Sequence, residues 1–253
     1  MSVDRSDRGQ YLHESLRGVQ DRIDGACARY GRERDDVTLI VVTKFFPMSD
    51  VAELVQLGVR DVGESRDQEA SVKIAELRSE MASASMPTVH MVGQVQTKKA
   101  RSIARYADVV HSIDRVKVVH ALDRACARAM EEGERHTPLD VLVQVDLGEG
   151  SDDGRGGALP DQIVELADEV GRCASLRLRG VMAVAPAEAA DDERASSAAF
   201  ARLKECHQSV LAAHPGASWC SAGMSGDLEW AVAAGATHLR VGSAILGSRP
   251  PAR

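Results

Sequence analysis

Aromatic residues are scarce in this chain: three Phe, three Tyr and two Trp, 3% of 253 residues. A core must therefore be built from Ala, Val, Leu and Ile, and a hydrophobic content of 44% is enough to build one. An excess of positive charge is also missing. Lys and Arg number 31 against 38 Asp and Glu, a net charge of -7. A nucleic-acid partner, which needs a basic surface, is not expected. No stretch of eighteen apolar residues occurs, so no membrane partner is expected either. Met1 to Gly9 is polar and charged, unlike a secretory signal. The five cysteines (Cys27, Cys126, Cys173, Cys206, Cys220) are odd in number and contain no close pair. That pattern suits reduced thiols in a cytoplasmic protein and offers no metal-binding spacing.

What is present is alternation. Apolar positions at helical spacing (Leu12, Leu16, Val19, Ile23, Cys27) predict an opening helix over 8–33. Strands are then expected at 38–43, 59–62, 88–92, 107–111, 139–145, 176–181, 218–221 and 237–241. Helices are expected between them at 50–57, 65–80, 97–106, 115–131, 161–171, 194–213 and 226–234. Ser49 and Asp114 read as helix caps, and Pro160 as the opening of a helix, where its missing N–H does no harm. Eight strand-like runs in this length match a (β/α)8 TIM barrel, whose usual size is ~250 residues. A doubly wound open sheet alternates in the same way, and counting does not separate the two. No linker divides the chain, so one domain over 1–253 is expected, with an extra N-terminal helix. The Gly- and Asp-rich loop 147–158 reads as a turn or flexible lid. Glu188 to Glu193 reads as an acidic surface loop, and Lys98, Lys99, Arg101 and Arg105 as a solvated helix face.

Two regions carry chemistry. In Leu39-Ile-Val-Val-Thr-Lys-Phe-Phe-Pro47 a buried strand ends on Lys44, at the edge where α/β proteins place their sites. Partial desolvation there would make the amine a nucleophile towards carbonyls. Taken alone, the stretch is better explained by a lysine carrying its charge out into water. The other region is the end of the chain. Ala222-Gly-Met-Ser-Gly-Asp-Leu-Glu229 comes after the seventh strand, and Arg240-Val-Gly-Ser-Ala-Ile-Leu-Gly247 spans the end of the eighth strand and the loop beyond it. Ser225 stands at an expected helix start. Glycines and helix N-termini in these loops suit a phosphate, although an N-cap and tight turns explain either loop by itself. Together, on the last two strands of a barrel, they favour an anion site. A ligand with an aldehyde at one end and a phosphate at the other fits both regions, and pyridoxal 5'-phosphate is such a ligand.

With these residues in view, the chain resembles the pyridoxal phosphate homeostasis proteins, single-domain relatives of the alanine racemase barrel. The likeness rests on Val41-Val-Thr-Lys44, Gly63-Glu-Ser-Arg-Asp-Gln-Glu69, His90-Met-Val-Gly-Gln-Val-Gln-Thr-Lys-Lys99, Leu178-Arg-Gly-Val-Met182, Gly223-Met-Ser-Gly-Asp227 and Arg240-Val-Gly-Ser-Ala-Ile-Leu-Gly247. The resemblance implies that Lys44 forms an internal Schiff base. Ser225, Gly242 and Ser243 then bind the phosphate, Arg240 faces the pyridine nitrogen, and Met224 lines the ring pocket. His90 and Gln96 lie in a motif near the cofactor, with a structural histidine the favoured account of His90. Three positions depart from the family pattern: Ser65 and Lys98 stand where Asn is usual, and Val89 where a large residue is usual. The shorter Ser65 weakens a contact to the ring oxygen or leaves it to water.

The resemblance also bears on reactivity. A guanidinium only donates hydrogen bonds, so a ring nitrogen facing Arg240 is unprotonated and a poor electron sink. Racemisation needs an acid/base on each face of the substrate carbon. In alanine racemase the second base is a tyrosine supplied with a β-rich second domain. Here six residues come after Gly247, and Tyr11, Tyr30 and Tyr106 fall on expected helices. The resemblance therefore implies a non-catalytic binding protein that buffers pyridoxal phosphate or delivers it to apo-enzymes, with a monomer expected. The alternatives are a small racemase-like enzyme with an open site, or an unrelated barrel binding a sugar phosphate.

Overall fold

The structure, a computed structural model, describes residues 5–148, 156–186 and 192–249. Among these, eight parallel strands form one closed barrel in chain order. They are β1 (Thr38–Val42), β2 (Asp61–Glu64), β3 (Thr88–Met91), β4 (Val109–Ile113), β5 (Leu139–Gln144), β6 (Leu176–Met182), β7 (Trp219–Ser221) and β8 (His238–Val241). Closure is made by β8 returning to β1, in register from Thr38↔His238 to Val41↔Val241. That pairing separates a barrel from an open sheet and sets the two ends of the chain side by side.

Helices wrap the barrel: α1 (Arg5–Tyr30), α2 (Met48–Gln56), α3 (Asp67–Glu80), α4 (Ala100–Tyr106), α5 (Val116–Glu131), α6 (Ile163–Gly171), α7 (Glu193–Ala213), α8 (Leu228–Ala234) and α9 (Ser243–Leu246). Leu12, Leu16, Val19, Ile23 and Cys27 of α1 are all buried, as their spacing predicts. This helix packs on α2, α8 and α9. Because α9 has only four residues, α1 fills the place that a full helix after β8 would occupy.

Several expected boundaries shift. β2 and β4 begin two residues later than the apolar runs suggest. Val59 and Ala107 are buried in the turns before the strands, where Val59 N–H donates to Leu54 O, and do not pair. Ser49 lies inside α2, whose N-cap is Pro47, and Asp114 makes no cap to α5. Asp114 instead pairs with Arg115 and accepts from Gln94. α8 starts at Leu228, not at 226, and the helical turn α9 has no counterpart among the expected helices. Most of the 147–158 loop and of the 188–193 acidic stretch lies outside the described residues.

The core has two parts. A large one lies between barrel and helices, and Val109, Leu142 and Met182 form a small one with Val184 and Trp219. The residues of the small cluster share their strand faces with His111 and Ser221, which bond to each other across the barrel. The interior is therefore only partly apolar.

Candidate functional site at the barrel mouth

Lys44 lies two residues beyond the end of β1, at the apex of a turn closed by Phe46 N–H to Thr43 O at 3.1 Å. Its side chain is exposed, as the stretch taken alone leads one to expect of a lysine carrying its charge out of a strand end, and the partial burial that would activate the amine is not found. The physical reason is this turn, which lifts the residue clear of the strand. Phe45 comes next with φ 72°, the one non-glycine residue with positive φ among those described. Three cations surround its ring: Lys44 Nζ at 5.9 Å, Arg66 at 4.7 Å and Arg249 at 4.1 Å. Despite the chain's net charge of -7, the mouth beside Lys44 is positive.

The loops after β7 and β8 meet beside this turn. Ser243 Oγ donates to Ser225 Oγ at 3.2 Å, and Ala244 N–H donates to the same oxygen at 3.3 Å. Ser225 therefore serves the start of α9 and not the helix next to it in sequence. Asp227 stands at the N-cap position of that helix, and its carboxylate turns back into the loop to accept from Met224 N–H at 2.5 Å. A Cβ on Gly242 would stand 3.1 Å from Val42 O, so the β8 loop passes hard against the end of β1. Arg22 of α1 secures the arrangement from outside, donating to Ser225 O at 3.0 Å and pairing with Glu229 through two bonds.

Arg240 lies below these loops and is buried. Its Nη1 donates to Ser221 Oγ at 2.7 Å and Nη2 to Ala183 O at 2.8 Å. Burial lowers the guanidinium to about 10, opposed by Asp227, which leaves it cationic at neutral pH. Ser221 begins a chain of contacts through the interior. Its Oγ is 3.0 Å from His111 Nδ1, His111 Nε2 is 2.9 Å from His90 Nδ1, and His90 Nε2 is 3.0 Å from Asp61 Oδ1. One direction of donation satisfies every link with neutral rings: Arg240 to Ser221 to His111 to His90 to Asp61. Burial, then the charges of His90, Arg240 and His238, hold His111 well below its ordinary range.

The expected site residues divide accordingly. Lys44, Ser225, Gly242 and Ser243 come together on adjoining loops, with Arg240 beneath them. Met224 and Ser65 are half-buried, and Ser65 lines a cavity of about 290 Å³ with Gln96 and Met91. The second and third loops approach closely there, since a Cβ on Gly93 would fall 2.2 Å from Ser65 O. His90 sits inside the barrel with both ring nitrogens taken by Asp61 and His111. Sequence reasoning does not single out Asp61, His111 and Ser221. Each is a short polar residue or histidine in a strand with apolar neighbours, and only the interior face they share marks them. Lys99, Arg101 and Arg105 pair with Asp67, Glu132 and Glu134 on the helix surface.

In chemical terms the mouth offers an exposed primary amine, two hydroxyls beside a helix start, and a buried cation with further N–H donors below. Residues 27–250 match the family model described as alanine racemase, N-terminal domain. The pyridoxal phosphate homeostasis protein of Mycobacterium tuberculosis is 43% identical over 249 residues, covering 96% of this chain and 95% of the relative. The solved structure of PipY from Synechococcus elongatus with PLP bound is 28% identical, with a TM-score of 0.77 over 93% of this chain and 100% of that one. An alanine racemase of Clostridium difficile is 13% identical with a TM-score of 0.71, covering 96% of this chain and 58% of its own, and shares the fold. By family model and by full-length relatives, the chain belongs to the pyridoxal phosphate homeostasis protein family.

Proposed function

We propose that this protein holds pyridoxal 5'-phosphate covalently on Lys44 and serves to buffer or deliver it, without turning over amino acids. The observation that carries this reading is the convergence at one end of the barrel of the Lys44 turn and the Ser225–Ser243–Ala244 cluster, above Arg240. The donor set fits the ligand. Hydroxyl and backbone N–H groups suit a phosphate, and a glycine at 242 leaves room where a side chain would press on β1. When bound, the cofactor supplies an aldehyde carbon with which an amine condenses, losing one water. Lys44 provides that amine. Ser225 and Ser243 orient the phosphate through their hydroxyls, with Gly242 and Ser243 adding backbone N–H groups. Arg240, held in place through its two terminal nitrogens, offers its guanidinium to the ring nitrogen. Met224 and Ser65 border the ring.

A second acid/base is the group a racemase would add. Tyr106 is buried in α4, with its hydroxyl bonded to Met91 Sδ at 3.6 Å, and burial raises its pKa. Tyr30 ends α1, and Tyr11 sits beside Gly247. These placements support binding over turnover, as do relatives named for homeostasis. The likeness to alanine racemases carries fold alone. The recipients in this reading are apo-enzymes, and the carrier is a cytoplasmic monomer. The described structure contains no helix long and apolar enough to cross a membrane, and its five cysteines are free.

Borohydride reduction of the cofactor-loaded protein and then peptide mapping tests the site. The label is expected on Lys44 and lost in Lys44→Ala, and a label on another lysine overturns the assignment. Proton exchange at the α-carbon of amino acids in deuterated water tests the absence of turnover. Exchange that depends on Lys44 would favour a racemase-like enzyme.

A further inference from the structure

Lys44 makes no hydrogen bond of its own among the described residues, yet the residues on either side of it are both gripped by one buried cluster. Lys73 of α3 is 5% exposed, and Glu64 at the end of β2 is 0% exposed. Lys73 Nζ donates to Thr43 O at 2.9 Å, to Glu64 Oε1 at 2.8 Å and to Glu69 Oε1 at 3.0 Å. Thr43 Oγ1 donates to Glu64 Oε1 at 2.7 Å. Phe45 N–H donates to Glu69 Oε1 at 2.6 Å. The carbonyl before Lys44 and the amide after it are thus both tied to α3, by a lysine and a glutamate one helical turn apart.

The backbone between those ties is strained. In the turn Thr43–Phe46, Phe45 holds the third position, where a φ of 72° is normally left to glycine. A phenylalanine keeps such a conformation only where its surroundings over-determine it. The Glu69 carboxylate is the partner that fixes the Phe45 amide. Lys73 has three N–H donors, and all three are spent on Thr43, Glu64 and Glu69. Buried and saturated, its amine is unavailable to an aldehyde, while that of Lys44 is free and exposed.

We propose that Glu69 and Lys73 are positioning residues for Lys44: they hold the strained turn that presents its amine at the mouth. This rests on Lys44 being the lysine that takes the cofactor. The alternative is a buried charge cluster that merely seals the gap between α3 and the barrel. The two differ in what matters at position 69. Positioning needs the reach of an acceptor oxygen to Phe45 N–H. Sealing needs the charge opposite Lys73.

Glu69→Gln keeps the reach and removes the charge, whereas Glu69→Asp keeps the charge and shortens the reach. Neither creates a large cavity, so both proteins should fold, which thermal denaturation verifies. Each full-length variant is loaded with pyridoxal 5'-phosphate to equal occupancy by equilibrium dialysis. The fraction trapped on Lys44 by borohydride is then measured by peptide mapping. We expect that fraction to fall about tenfold in Glu69→Asp, the loss of one charge-assisted hydrogen bond, and to stay within about twofold of wild type in Glu69→Gln. Equal fractions in both variants, or the reverse order, overturn the proposal. A wild-type protein that carries no label on Lys44 fails the functional reading itself, which is a separate result.

Discussion

Ser221 touches two things at once, and single residues of this kind decide how the site is held. Its hydroxyl anchors Arg240 on one side and His111 on the other. Ser221→Ala should leave both partners short of a bond in a buried place. We expect a stability loss of ~1–3 kcal/mol in urea denaturation, together with weaker binding of pyridoxal phosphate in a dialysis titration. The interior histidines also set a pH dependence. Burial, then the charge of His90, holds His238 at about 3, against an ordinary 6.5, and His111 is likewise held low. The folded protein therefore binds fewer protons than the unfolded chain below 6.5. Stability present above that pH should be lost as pH falls towards 3, each site adding a slope of ~1.4 kcal/mol per pH unit. Glu64, pushed up by burial, acts in the opposite sense and loses its contribution as pH rises. His238→Asn should flatten the acid limb of a stability–pH curve by one proton. At this scale Lys44, Ser225, Ser243 and Arg240 are legible through family motifs. The chain from Ser221 to Asp61 is not, because its members come from four different strands and meet only when the barrel closes.

At the level of elements, α1 acts as the missing eighth helix. Ile23 and Leu12 are fully buried in it, so Ile23→Ala should cost ~2–5 kcal/mol and lower the midpoint of thermal unfolding. The same helix holds the loop of Ser225 through Arg22. Arg22→Gln should therefore weaken cofactor binding while leaving most of the stability in place, since the Arg22–Glu229 pair is more than a third exposed on each side. Periodicity reveals α1 and most strands. It places β2 and β4 two residues early because Val59 and Ala107 are buried by turns rather than by pairing. It carries no sign of α9, a four-residue turn whose start is completed by a serine eighteen positions earlier. Local sequence cannot announce a partner brought in by a neighbouring strand.

The whole molecule carries a net negative charge with a positive mouth formed by Lys44, Arg66 and Arg249 around Phe45. An anionic phosphate ester should be drawn to that patch. Arg66→Gln with Arg249→Gln should slow association of pyridoxal phosphate several-fold at low salt in stopped-flow absorbance, and the difference should shrink as salt rises past a Debye length of ~10 Å. Eight alternations suggest a barrel, but the pairing of Thr38–Val41 with His238–Val241 is what excludes an open sheet. That pairing is the joint between the chain's beginning and its end. Asp61 gives the closed form a second use, because its side chain is 22% exposed at the rim opposite Lys44. A continuous run of polar contacts thus joins the underside of the barrel to its top, and the solvent-touched carboxylate at one end fixes which way every proton in it points, up to the guanidinium beneath the mouth.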